Sequence, residues 1–165
     1  MTPSDAPMTG TSILRRRLML GIVVGAAAPQ ASSALAQSAQ AQSRAALELL
    51  VRETAKGAPI REGRVALELP VLADSGNAVP LKVTVQSPMT ESDFVRAVHL
   101  ISERNPVRNM ATFHFGPHSG RAQVASRIRL AGTQRIVALA EMSDGSYWSG
   151  SADVVVTISA CIDEI

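Results

Sequence analysis

Gln123-Val124-Ala125-Ser126-Arg127-Ile128-Arg129-Leu130 is the stretch on which the fold turns. Val124, Ile128 and Leu130 fall on one side of an extended chain, and Gln123, Arg127 and Arg129 fall on the other. That period of two marks a half-buried strand. Further strands are predicted on both sides of it. Residues 134–142 form the next, closed by Asp144-Gly145, a hairpin signal. Residues 153–158 form the last, built on Val154-Val155-Val156-Thr157-Ile158. Toward the N-terminus, residues 110–115 put Phe113 and Phe115 on one face, and Gly116-Pro117 supplies the turn. Residues 94–101 do not alternate, but their β-branched and aromatic content favours strand until Asn105-Pro106 breaks it. In residues 79–85, Leu81, Val83 and Val85 oppose Lys82 and Thr84. In residues 64–69, Val65, Leu67 and Leu69 share a face. Pro70 and Asp74-Ser75-Gly76-Asn77 end that strand in a turn. About seven short strands with regular turns predict an all-β fold, an antiparallel β-sandwich.

The N-terminal part is different. Arg15-Arg16-Arg17 precedes an apolar run, residues 18–28, too short for the ~20 apolar residues of a membrane span. Ala34-Leu35-Ala36 offers a small-x-small cleavage site. Residues 1–36 are therefore expected to be an export signal. The arginines followed by Leu18-Met19-Leu20 resemble a twin-arginine signal; a Sec signal with a basic n-region is the alternative. Export points to a bacterial periplasm, with no membrane association once the signal is removed. It also removes three of the 16 basic and one of the 14 acidic side chains, which leaves the mature part neutral. With no basic patch, nucleic acid is excluded as a partner. Residues 37–42, rich in Ala, Gln and Ser, read as a flexible leader. Ser43 is placed as the cap of a short N-terminal helix with Ala46, Leu47, Leu50 and Val51 on one face, ended by Gly57-Ala58-Pro59. Residues 43–158 make one domain.

The chain has no Gly-rich phosphate loop, no Cys-x-x-Cys and no His-Glu-x-x-His. No cofactor is called for. His114 and His118 lie four apart across a strand–turn junction; a strand-end His and a loop His outweigh a metal site there, and none is assigned. His99 is a structural strand residue. Tyr147-Trp148 either anchors an interface or covers the core. Arg127 and Arg129 could bind an anion or simply solvate a sheet face. Cys161 is the single cysteine in the chain. It follows the last strand, on a tail comprising residues 159–165, and is placed free of the body. A thiolate there is a nucleophile that needs no triad to form a disulfide-type adduct. The bland reading is a leftover thiol.

Several spread segments resemble the SoxY family, the carrier subunit of the Sox thiosulfate-oxidation system. They are Pro80-Leu81-Lys82-Val83-Thr84-Val85-Gln86-Ser87-Pro88-Met89-Thr90, Asn105-Pro106, Ala111-Thr112-Phe113-His114-Phe115, Arg127-Ile128-Arg129-Leu130-Ala131 and Ala140-Glu141-Met142-Ser143-Asp144-Gly145-Ser146, with the closing strand before Cys161. The resemblance runs from about Leu47 to Cys161. It implies an immunoglobulin-like sandwich that is not an enzyme and pairs with a SoxZ-like subunit. Cys161 matches the cysteine that holds sulfur intermediates covalently. A haem-containing sulfur transferase would load it, a hydrolase would release sulfate, and a sulfur dehydrogenase would act on the remaining sulfane. The family's arm typically ends Gly-Gly-Cys-Gly-Gly; here it is Ser159-Ala160-Cys161-Ile162-Asp163-Glu164-Ile165. Lost glycines mean lost backbone freedom, and Asp163 and Glu164 add negative charge that raises a thiol pKa and repels anionic thiosulfate. A non-carrier interaction module that kept the sandwich and its SoxZ-type interface but lost or changed the swinging-arm role is the competing expectation.

Overall fold

A computed structural model of the chain describes residues 30–160, with side chains from residue 37. Among the described residues one helix, α1 (Gln30–Thr54), is followed by nine strands: β1 (Ile60–Glu62), β2 (Val65–Glu68), β3 (Leu72–Ser75), β4 (Val79–Val85), β5 (Val95–Ser102), β6 (Asn109–His114), β7 (Gln123–Ile128), β8 (Gln134–Met142) and β9 (Tyr147–Ile158). The smaller sheet runs β2-β4-β7, and the larger runs β1-β9-β8-β5-β6 with β3 also paired to β9. The two sheets face each other as a sandwich, as the alternating pattern predicts.

Between the sheets lies the main core. Val79, Leu81, Val83 and Val85 of β4 meet Val98 and Leu100 of β5, Ile136, Ala138, Ala140 and Met142 of β8, and Val154 and Val156 of β9. The outer face of the large sheet carries a second apolar layer. There Leu47, Val51 and Ala55 at the helical end pack on Ile101, Val137, Leu139 and Tyr147. A helix of this composition is marginal alone, and burying each such side chain contributes about 1.5–3 kcal/mol. The second layer explains why β8 is buried on both faces.

The helix differs from its expected form. It runs through residues 37–42, read as a flexible leader, and starts before Ala36. Ser43 is no cap. It sits inside the helix, where its hydroxyl donates to the Glu103 carboxylate just past β5 and lies against the Gln40 carbonyl. Among the described residues, no helix is long and apolar enough to cross a membrane. Residues 1–29 lie outside the described residues, so the proposed export signal falls almost wholly there.

Two strands were not expected, and both break the purely antiparallel scheme. β1 and β3 pair parallel to the two halves of β9, Ile60 opposite Tyr147 and Leu72 opposite Val155. The last strand is also longer than residues 153–158, because it begins at Tyr147 and passes through Ser149-Gly150-Ser151. Gly150 is required there: a Cβ would stand 2.4 Å from the Val65 carbonyl oxygen of β2.

Candidate functional site

β9 carries the chain toward Cys161, and its final stretch is tied down on three sides. β3 pairs with it through Ala73–Val156 and Ser75–Ile158. The Val156 amide donates to the Thr133 hydroxyl at 3.0 Å. Beyond the strand, the Ala160 amide donates to the Leu130 carbonyl at 3.0 Å, and the Leu130 amide donates to the Gly76 carbonyl at 2.9 Å. Cys161 itself lies outside the described residues, as do residues 162–165. The residue before it is half-buried and hydrogen-bonded to the body, so the chain is not free from Ser159 onward as its place in the sequence suggested.

Gly76 makes this closure possible. A Cβ on it would come within 2.3 Å of the Leu130 carbonyl oxygen and 3.1 Å of the Ala160 nitrogen. Any side chain would therefore strike the carbonyl that holds the tail. The sequence presents Gly76 only as part of a turn. Gly132 is the neighbouring small position; its φ is +147°, and the Ser159 hydroxyl and the Arg104 guanidinium both lie beside it. Arg104 is exposed and donates to the Thr133 carbonyl at 3.2 Å.

A buried polar cluster fixes the Leu130 segment from its other side. Asn105, 8 % exposed, donates from Nδ2 to the Arg129 carbonyl at 2.8 Å and accepts from the Ala131 amide at 2.9 Å. The Gln134 amide group also donates to Asn105 Oδ1, at 2.8 Å, and Gln134 Oε1 accepts from the Arg104 amide. Glu103 accepts from the Arg135 amide and from Ser43 on the helix. Buried polar groups left without partners cost about 1–3 kcal/mol each, so this cluster specifies the local geometry strictly. Asn105 read as a strand breaker; that it clamps the segment holding the tail needed tertiary structure. Beside the cluster is a recess of about 340 Å³ lined by Ser43, Arg44, Glu103, Arg104, Thr133 and Asp153. Of its charged residues, Asp153 forms a paired contact with Arg135 at 2.7 Å.

The remaining candidates are placed elsewhere. Tyr147 is buried under the helix. Trp148 packs partly against the core, with the Arg64 and Arg61 guanidinium groups 4.8 and 5.7 Å from its ring centre. Neither is a free anchor. His114 ends β6 and His118 lies in the following turn, both exposed. Among the described residues, no three His, Cys, Asp or Glu side chains converge as a metal site. His99 Nδ1 lies 3.1 Å from the Thr112 hydroxyl, and partial burial pulls its pKa below the ordinary 6.5 against the opposing charge of Glu141. Arg127 and Arg129 are exposed at β7 and form no ion pair among the described residues.

Known proteins bear on this arrangement. The chain's fold is similar to the structure of the sulfur carrier protein SoxY from Chlorobium limicola f thiosulfatophilum, at 22 % identity and a TM-score of 0.61, over 73 % of this chain and 99 % of that one. A superoxide reductase (neelaredoxin) from Ignicoccus hospitalis, in a single-residue variant, shares the fold more distantly: 14 % identity, TM-score 0.52, covering 56 % of this chain and 79 % of that one. No curated protein sequence matches. The family profile described as "Sulfur oxidation protein SoxY" matches residues 51–161, from the buried end of the helix to Cys161 itself. Over two-thirds of its length, and with the sandwich that goes with it, this chain belongs to the SoxY family.

Proposed function

We propose that the chain is an exported carrier of sulfur intermediates, with Cys161 as the covalent attachment point, and that it performs no turnover of its own. One observation carries this reading: the family match extends through the sandwich and ends on Cys161. The loading step joins the thiol to thiosulfate, Cys-SH + S2O3²⁻ → Cys-S-SSO3⁻ + H⁺ + 2e⁻. The two electrons pass to a haem-containing partner. Water then cleaves the terminal sulfonate, Cys-S-SSO3⁻ + H2O → Cys-S-S⁻ + SO4²⁻ + 2H⁺, on a hydrolase partner. A sulfur dehydrogenase partner would oxidise the remaining sulfane. A SoxZ-like subunit is the proposed constitutive partner, and the periplasm, reached through the residue 1–36 signal, is the proposed compartment.

In this role the Ala160–Leu130 hydrogen bond acts as a weak latch. While it holds, the described chain ends bonded to the body at Ala160, one residue before Cys161. Releasing it back to Ile158 gives three residues of reach, ~10 Å. One such bond contributes a net ~0.5–1.5 kcal/mol, so the latch shifts the balance by no more than about tenfold. A partner enzyme that gains a few contacts with the released tail overcomes it.

The tail's departure from Gly-Gly-Cys-Gly-Gly and its attachment at Ala160 favour the second reading, an interaction module without carrier duty. Cys161→Ser separates the two. Under the carrier reading, thiosulfate-dependent electron transfer to the haem partner stops in a reconstituted system while SoxZ-like binding is retained. Unchanged electron transfer in the variant would sink the carrier reading and leave the module.

A further inference from the structure

The two sheets are unequal in width. The large sheet is five strands wide from β1 to β6, and the small sheet is three. At one side β2 stands over β9, since the Val65 carbonyl oxygen lies 2.4 Å from where a Cβ on Gly150 would be. At ~4.8 Å per strand, β2, β4 and β7 cover the large sheet only part of the way to β6. The mismatch opens a cleft of about 310 Å³ between the edges of β6 and β7. Met110, Ala111 and Phe113 of β6 floor it, half-buried, and Val107 at its rim is 71 % exposed. Ala111 and Phe113 pair with Leu100 and Val98, which are buried, so the apolar core face continues onto β6 beyond its cover.

The outer edge of β7 offers backbone groups at defined positions. The Val85 amide donates to the Ala122 carbonyl, and antiparallel bonds recur at every second residue. Val124, Ser126 and Ile128 therefore turn their amides and carbonyls toward β4, opposite Val83, Leu81 and Val79, while Ala125 and Arg127 turn theirs to the free edge. The next residue facing that edge is engaged, because the Arg129 carbonyl accepts from Asn105 Nδ2 at 2.8 Å. Asn105 thus closes the end of an edge that no described strand pairs alongside Ala125 and Arg127. The side chains of Arg127 and Arg129 lie in line on the outward face of β7. Neither forms an ion pair among the described residues.

The geometry points to strand addition: this edge of β7 takes the edge strand of a partner protein, with apolar side chains at every second residue turned over Ala111 and Phe113 and acidic side chains between them turned outward. Strand alternation puts the two sets on opposite faces, so the apolar floor and the arginines are met at once. A carboxylate facing Arg127 is also within diagonal reach of Arg129, and one facing Ala125 is within diagonal reach of Arg127. Main-chain bonds to Ala125 and Arg127 supply affinity, while the floor and the two cations select the sequence. The same cations turn away basic strands, which fixes the partner's sign of charge. The inference does not depend on what Cys161 carries.

The test titrates the full mature chain with the capped peptide Thr-Val-Glu-Val-Glu-Val-Thr and reads backbone amides by nuclear magnetic resonance. In the free protein the Ala125 and Arg127 amides are expected to exchange quickly with solvent, and those of Val124 and Ser126 slowly. The peptide is expected to protect Ala125 and Arg127 and to shift the resonances of Ala111 and Phe113. Lysine in place of both peptide glutamates weakens binding about tenfold at low salt. N-methylation of the peptide amides abolishes the protection. Arg127→Glu with Arg129→Glu makes the lysine peptide the better ligand; if that pair disturbs the fold, the two peptides compared on the unaltered chain still decide. The inference is overturned if the glutamate peptide protects neither amide, which would leave both arginines as guards of a bare edge, or if the lysine peptide binds equally well. Protection of both amides before any peptide is added also overturns it. Dependence of that protection on protein concentration would make a second copy the occupant, and independence would make it a segment of this chain.

Discussion

Gly76 shows how one missing side chain positions the end of the chain. Its Cα faces the Leu130 carbonyl, and that oxygen accepts the Ala160 amide. Gly76→Ala forces backbone apart rather than bending a flexible side chain, so a loss of about 1–3 kcal/mol is expected. The loss is local in origin: the Ala160 amide should exchange with solvent faster than amides of β8, measurable by hydrogen exchange. Equal protection in variant and parent would show that the latch does not depend on this glycine. His99 gives the pH dependence. Its folded-state pKa lies below the ordinary 6.5, so above that value the imidazole is neutral in both states and costs nothing. As pH falls below ~6.5 the unfolded chain takes up the proton first, and stability declines. His99→Gln should flatten thermal stability between about pH 6.5 and 5 relative to the parent; an identical pH slope would assign the effect to other groups.

At the scale of elements, the legible strands were those with one wet face. β4 and β7 belong to the small sheet, where outward side chains meet solvent, and their alternation is plain in the sequence. β5 gave no clear period for two reasons. The helix buries its second face, and register shifts at Val95/Ala97 and Leu100/Ile101 interrupt the alternation. β1 and β3 are three and four residues long, and only β9, far along the chain, makes them strands. The first half of β9 hid behind Ser149-Gly150-Ser151, where close approach of β2 selects glycine over a strand former. The helix was legible by its Leu47–Val51 face but not in its extent, since weakly apolar residues give no stripe to follow. Leu47 is 3 % exposed at the centre of the helix–sheet layer. Leu47→Ala is expected to cost about 2–5 kcal/mol in chemical denaturation. A change near zero would mean the helix contributes little to the fold.

Taken as a whole, the molecule is a sandwich whose two sheets and covering helix hold one strand, β9, inside the large sheet and deliver its end to a chosen place. The position of Cys161 was legible in the sequence as a thiol after the last strand. What holds its neighbour Ala160 was not, because Gly76, Asn105 and Leu130 lie far back along the chain and meet it only in the fold. A carrier needs this combination: a rigid body for partners to recognise and a reactive group on a segment that leaves it at low cost. The most direct measurement is peptide mass spectrometry of the protein after incubation with thiosulfate, its SoxZ-like subunit and an oxidising haem partner. A mass gain of one thiosulfate unit, confined to the peptide containing Cys161 and reversed by thiol reductant, is the expected result; a peptide of unchanged mass, with an established SoxY protein labelled in parallel, would contradict it.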